Sequence, residues 1–317
     1  MEKVNRVASI DIGSQTIRFM VADCTASGTL VPVYRDMQIV RLGEGMNRVM
    51  KLGPEAVERA VTCISSFVVK AKECGAAGIY AVATACVRNA ENSRQFLETV
   101  FNTAGITPVV LSGTEEACLS LRGVQSVFSP SSAHSLIIDI GGGSTELTLL
   151  YKNDLIMAES LPLGVVNLAE HYLHSDPPSR DEICKLEECV TSVLHEGSRA
   201  FSKILSDAYD FIQLVGTAGT MTTLAAMDRK MRVYDPDKIN GHVLDISCIK
   251  QLFGKMIFLP REKRKLLAGL EPGRADVIIP GTIIILRIME TLGQRIIQVS
   301  DAGLLEGVIL DKITCSG

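Results

Sequence analysis

A chain of 317 residues exceeds one average domain and allows two, each long enough to bury a core of its own. With 47% apolar and 21% charged residues it is too hydrophobic for a disordered chain, and 32 Lys and Arg against 36 Asp and Glu leave a formal charge of -4. That balance excludes the broad basic field of a DNA or membrane-surface binder, so an anionic substrate must be met by a local site.

The N-terminal residues lack an apolar signal core ahead of Asp11, and the longest apolar stretch, Ala275 to Met289, is broken by Asp276, Pro280 and Arg287. It falls short of the roughly 20 residues a bilayer span requires, so no membrane segment and a cytoplasmic location are expected. Nine cysteines, an odd number without CxxC or Cys/His spacing, read as reduced and mostly buried.

In chain order, Arg6 to Ile12 reads as a strand that ends in Asp-Ile-Gly-Ser, and Thr16 to Asp23 as its hairpin partner. A helix over Pro54 to Glu73, a strand at Gly78 to Thr84, a helix from Glu91 to Ala104, a strand at Pro108 to Leu111 and a helix from Thr114 to Gly123 follow. Ser135 to Ile140 then repeats the opening unit: a strand ends in Asp139, a glycine turn Gly141-Gly142-Gly143-Ser144 follows, and a second strand runs from Thr145 to Tyr151. Helices are expected around Val165 to Leu173 and over Arg180 to Ser202, and a strand at Phe211 to Val215. That strand leads into Gly216-Thr217-Ala218-Gly219-Thr220 and a helix over Met221 to Met227. A last strand, Arg295 to Val299, reaches Ser300-Asp301-Ala302-Gly303 before a final helix, Leu304 to Ile313. Alternating strands and helices imply mixed, mainly parallel sheets, in two α/β lobes of similar plan divided near Val124 to Ala133. The final helix is expected to fold back on the first lobe, so that residues 1–125 with 304–317 form lobe I and 126–303 form lobe II.

Glycine lets a ligand approach the backbone, and successive N–H groups in such a turn form a nest for anionic oxygen. Gly13-Ser14 and Gly142-Gly143-Ser144 therefore suit phosphate, although any single such turn also serves as a plain hairpin. Asp11 and Asp139 at the strand ends cannot favourably touch phosphate, which points to a divalent cation such as Mg²⁺ between them. Glu115 and Glu116 open a helix. Glu115 is expected to be solvated at the helix start, whereas Glu116 lies where an α/β sheet places its cleft and is suited to deprotonating a water. Arg88, directly after a strand, either binds phosphate oxygens or forms a salt bridge. The run Arg261, Lys263, Arg264, Lys265 reads as a solvated helix face, with guidance of a polyanion as the alternative, and His242 as a structural loop residue.

These segments together resemble the exopolyphosphatase and guanosine pentaphosphate phosphohydrolase (Ppx/GppA) family of the actin, hexokinase and sugar kinase superfamily. The resemblance rests on Asp11-Ile12-Gly13-Ser14 with Arg18, Ala83 to Arg88, Ser112 to Ala117, and Ile138 to Glu146. It continues through Leu161 to Gly164, Gly216 to Thr220, Arg274-Ala275-Asp276 and Ser300 to Gly303. It implies two actin-like, ribonuclease H-like lobes of mixed sheets flanked by helices, with the active site in the cleft between them. It also implies a Mg²⁺-dependent hydrolase that removes the terminal phosphate of polyphosphate or the 5′-γ-phosphate of guanosine pentaphosphate, the latter a step of the stringent response. Carried over by position, Glu116 is the catalytic base and Arg88 a phosphate ligand. Asp139 and Glu146 are metal-associated, and Asp11 shares the metal. Gly13, Ser14, Arg18, Gly142, Gly143, Ser144, Gly216, Gly219, Thr220 and Arg274 bind substrate. Gln15-Thr16 and Leu305 depart from the family pattern, which usually has Asn-Ser and Arg there. The chain looks like the short, two-domain form, and a homodimer is compatible with it. A small-molecule kinase of the same superfamily and a noncatalytic sensor of guanosine tetra- or pentaphosphate are the alternatives.

Overall fold

The opening hairpin forms as β1 (Asn5–Ile12) and β2 (Thr16–Cys24), antiparallel in a register that sets Asp11 opposite Arg18. The computed structural model describes residues 5–25, 29–128, 132–207 and 212–314. Within these the chain divides into two units, Met1–Ser126 with Ala302–Gly317, and Val127–Asp301.

In the first unit β3 (Leu30–Ile39) extends the hairpin antiparallel, while β4 (Gly78–Ala83) and β5 (Val109–Val110) add in parallel, giving the order β3-β2-β1-β4-β5. The two faces of this sheet are covered differently. Ala8, Ile10, Ile12, Ile17, Phe19 and Val21 alternate onto the face that holds helix Pro54–Glu73, where Phe67 stacks on Phe19 with ring centroids 4.8 Å apart. Val7, Met20, Ala22 and Cys24 alternate onto the opposite face against Leu305 and Ile309 of the helix Leu304–Thr314. Both faces of β1 and β2 are therefore buried, each by its own set of alternating apolar residues. Leu305, where the family usually has arginine, is spent as an apolar contact in that second core.

The second unit repeats the plan. β6 (His134–Ile140), β7 (Thr145–Tyr151) and β8 (Asp154–Leu161) form an antiparallel meander, and β9 (Gln213–Thr217) lies parallel to β6. β10 (Val243–Asp245) and β11 (Ile296–Val299) complete the order β10-β11-β9-β6-β7-β8, with β11 parallel to β9 and β10 antiparallel at the edge. The apolar stretch noted in the sequence is the buried helix Ile278–Thr291, the centre of this unit's core. No helix among the described residues is long and apolar enough to cross a membrane.

The single helix expected over Arg180 to Ser202 is three pieces: α-helix Arg180–Ser192, a π-helical turn Val193–Gly197, and helix Arg199–Asp207. The break is made by Glu159 of β8, a buried carboxylate that accepts the Ser198 hydroxyl and the backbone N–H groups of Arg199 (3.1 Å) and Ala200 (2.9 Å). A carboxylate capping exposed N–H donors starts a new helix there. Helix Arg180–Ser192 itself opens with a capping box, in which the Ser179 hydroxyl accepts the Glu182 N–H and Glu182 accepts the Ser179 N–H. Partial burial opposes ionisation of Glu182, but donors from Ser175, Ser179 and His174 outweigh it and hold its carboxyl at about 2. A carboxyl lowered below its unfolded value of about 4.3 stabilises the fold above that pH, and the contribution is lost as pH falls through the folded value. Glu182→Gln is therefore expected to cost about 1 kcal/mol at neutral pH in urea unfolding, with the gap to wild type closing below about pH 4. A gap independent of pH would contradict this.

Eight described cysteines are free: Cys24, Cys63 and Cys86 are buried, Cys74, Cys118, Cys189 and Cys248 half-buried, and Cys184 exposed. Fewer are fully buried than the sequence reading expects. Cys315 lies outside the described residues.

Candidate active site

The two Asp-glycine turns are built alike. In the first unit Gly13 N–H donates to Thr16 O at 3.2 Å, and in the second Gly141 N–H donates to Ser144 O at 2.9 Å. A Cβ on Gly13 would lie 2.9 Å from Thr16 O, so the turn requires glycine. Their electrostatics differ at the position facing the aspartate. Arg18 faces Asp11 and donates from Nε (2.9 Å) and Nη2 (2.7 Å) to Oδ2, a mostly buried ion pair. Glu146 faces Asp139 across β6 and β7, both carboxylates buried. In the first turn the aspartate thus faces an arginine, whereas in the second it faces another carboxylate.

Arg18 and Asp11, expected to contact phosphate and metal, are therefore engaged with each other. Two buried atoms of the first turn, Asp11 Oδ1 and Thr16 Oγ1, have no hydrogen-bonding protein partner. Gln15 anchors the turn through its carbonyl, which accepts the N–H groups of Val40 (3.1 Å) and Arg41 (3.0 Å).

In the second turn the hydroxyls of Ser144 and Ser160 both donate to Glu146 Oε1 at 2.7 Å, fixing that carboxylate. Among the described residues no three His, Cys, Asp or Glu side chains converge as a metal cluster. Asp139 and Glu146 bring two carboxylates to one place on the sheet. The turn's backbone is braced from below: Val165 and Val166 donate their N–H groups to the carbonyls of Gly141 (3.1 Å) and Gly142 (2.9 Å). Gly164 makes this possible, because a Cβ there would lie 2.2 Å from the Gly143 carbonyl carbon. Gly164→Ala is expected to shift the turn and raise KM for a phosphate-chain substrate by about tenfold with the fold retained, measured by steady-state kinetics beside a thermal melt. An unchanged KM would show that the turn does not hold substrate.

Glu116 sits on the helix Gly113–Val127, 8% exposed, and its Oε2 accepts Arg88 Nη1 at 3.0 Å. The same nitrogen donates to Leu111 O at 2.8 Å, so Arg88 is held by the strand end that precedes the helix. Arg88 thus forms a half-buried ion pair with Glu116. The helix is locked in place by two glycine contacts with the final helix: a Cβ on Gly123 would meet Gly303 O at 1.8 Å, and one on Gly307 would meet Leu119 O at 1.8 Å. Glu115, exposed, accepts the Ser112 hydroxyl and N–H at 2.7 and 2.8 Å, which lowers its carboxyl, first through the hydroxyl. It is a helix-start acid, as its position suggests. The Cys86 thiol lies beside Ser14, and burial pushes it up to about 12, so it stays protonated and is no nucleophile for phosphoryl transfer.

The third glycine loop, Gly216 to Thr220, turns β9 into helix Ala218–Asp228 through Ala218 at φ +65, a left-handed conformation costly for a residue with a Cβ. Arg274 lies directly over this loop, since a Cβ on Gly219 would be 1.7 Å from its Nη1. Gly281 gives way to Thr220 in the same manner, with a would-be Cβ 2.4 Å from Thr220 Oγ1. Tyr234, which sequence reasoning passed over, donates its hydroxyl to Asp301. Its phenol is raised above its ordinary value, first by burial of the hydroxyl and then by Asp301, with Thr222 and Arg274 opposing. No periodicity marks this tyrosine. His242 bonds Asp228 at 2.8 Å and Arg229 at 3.2 Å, a structural tie. The basic run is only partly a solvated face: Lys263 is exposed, but Arg264 is buried.

The Ppx/GppA phosphatase family model matches residues 20–315. Exopolyphosphatase 2 of Mycobacterium tuberculosis is 32% identical over 319 residues, which span 97% of this chain and 98% of that protein. The crystal structure of the Aquifex aeolicus Ppx/GppA family member superposes with a TM-score of 0.79 at 31% identity over 99% of both chains. An exopolyphosphatase from Cytophaga hutchinsonii gives a TM-score of 0.89 at 25% identity over 98% of both. Matched by the family model over residues 20–315 and by these relatives over nearly its whole length, the chain belongs to the Ppx/GppA phosphatase family.

Proposed function

We propose that this protein is an exopolyphosphatase, releasing the terminal phosphate of linear polyphosphate by attack of water. The observation that carries this reading is Glu116, a buried carboxylate fixed by Arg88 on a helix that is itself locked by glycine contacts. A carboxylate so held is suited to orient a water and accept its proton, and needs no hydroxyl acceptor. Within the second unit, the Gly142-Gly143-Ser144 turn, the Gly216 to Thr220 loop and Arg274 are donors suited to phosphate oxygens. Asp139 and Glu146 would hold a divalent cation, of which Mg²⁺ is the best match, and a cation there would neutralise phosphate charge. Guanosine pentaphosphate ends in the same phosphoryl chemistry and is the second substrate to test. The relatives named above support polyphosphate, one of them through 32% identity over essentially its full length.

The test is phosphate release measured side by side on tripolyphosphate, long polyphosphate, guanosine pentaphosphate, and ATP with and without a sugar acceptor. Release from the inorganic chains without acceptor is expected. Consumption of ATP only with acceptor, giving ADP and phosphorylated sugar in place of free phosphate, would make the protein a kinase, and tight guanosine pentaphosphate binding without turnover would make it a sensor.

A further inference from the structure

Arg264 is 5% exposed, yet its guanidinium is poorly matched. Nη2 reaches Asp176 Oδ1 only at 3.4 Å, and Nε and Nη1 are buried with no protein acceptor within hydrogen-bond distance. Arg261 Nε is in the same condition. Burying donors without acceptors costs stability, and replacing an imperfect buried ion pair with an apolar side chain is often neutral or stabilising. Stability therefore does not explain this arginine.

Its surroundings do. Asp176 takes the Arg261 N–H with both oxygens (2.7 and 2.9 Å), and Arg261 Nη2 stands 3.9 Å from Asp276 Oδ2. Asp276 lies two residues beyond Arg274, on the same tight turn, where Arg274 N–H bonds Glu271 O and Val277 N–H bonds Arg274 O. The segment 261–277 also presses on helix Ala218–Asp228 at both ends. Gly269, at φ +85, would place a Cβ 2.3 Å from the Ala226 carbonyl carbon, and Arg274 occupies the space a Cβ on Gly219 would need. The segment is a clamp on the helix that opens with the third glycine loop.

We infer that Arg264 is a positioning residue: with Arg261, Asp176 and Asp276 it fixes the 272–277 turn so that Arg274 stays over Gly219 and presents its guanidinium to phosphate. The inference rests on the phosphate-binding role proposed for Arg274. It is tested in the full chain with Arg264→Met, Arg274→Ala and the double variant, using thermal melts without ligand and steady-state kinetics and calorimetric binding with tripolyphosphate. Arg264→Met is expected to melt no lower than wild type, yet to raise KM and the dissociation constant at least about tenfold with kcat changed less than about threefold, the pattern of lost ground-state binding. The double variant should bind no worse than Arg274→Ala, since coupled residues are not additive. A lowered melting temperature with activity falling only as the folded fraction falls would overturn the inference, and so would unchanged KM and affinity or strictly additive effects. A wild-type protein that neither binds nor hydrolyses tripolyphosphate would overturn the proposed function, and this inference with it, before any variant is compared.

Discussion

Glu116→Gln is expected to lower phosphate release from tripolyphosphate at least about a hundredfold, the low end for loss of a positioned general base, while the protein still folds and binds the chain. The amide is isosteric, so the helix keeps its glycine contacts with Gly303 and Gly307. It still accepts a bond from Arg88, which also remains tied to Leu111 O at 2.8 Å. What it loses is the ability to take a proton from water. Glu115→Gln is the paired control: its partner Ser112 lies at the exposed helix start, so only the cap is weakened, by about 1 kcal/mol or less of stability, with turnover nearly unchanged. Near-normal turnover of Glu116→Gln would remove this residue from the base role, and a reversal of the two effects would transfer the role to Glu115.

The second large effect is expected at the facing carboxylates of the second unit. Asp139→Asn and Glu146→Gln should each depress the rate together with its dependence on added Mg²⁺, and excess chelator should abolish wild-type release. The reason is local charge: two buried carboxylates on one face repel a polyanion strongly unless a cation lies between them. At the corresponding place in the first unit Arg18 already neutralises Asp11, so Asp11→Asn is expected to act on the turn's geometry and to leave the Mg²⁺ dependence largely as it is. Full activity in chelator would sink the metal assignment. An Asp11 variant that abolishes Mg²⁺ dependence while Asp139→Asn does not would move the cation to the first turn.

Much of this architecture was legible before any coordinates. The repeated strand, Asp-glycine turn and strand are local signals, and their observed turn bonds match one another. The third strands β3 and β8 were not legible. β3 carries Pro32, Arg35, Asp36 and Gln38 along an exposed edge, where proline is tolerated and no apolar alternation is required. The break inside the stretch from Arg180 to Ser202 depends on Glu159, some forty residues away, and no helical periodicity announces a tertiary cap. For the site, the residue types and their order pointed to Glu116, Arg88 and Asp139, and Glu146 was named only through the family resemblance. The pairings Arg18 with Asp11 and Arg88 with Glu116 follow from cross-strand register and from a strand end meeting a helix start, which sequence alone does not show. Arg264 was misread because a run of basic residues is usually solvated, and only packing reveals that one guanidinium turns inward.

The central claim, that water attacks a terminal phosphoryl group under the control of Glu116, is tested most directly by single-turnover hydrolysis of tripolyphosphate in ¹⁸O-labelled water with Mg²⁺ and no acceptor. The account predicts one labelled oxygen in each phosphate released, and almost no release within the same time from Glu116→Gln. Release without label, or transfer of the phosphoryl group to an added acceptor in place of release, would contradict it.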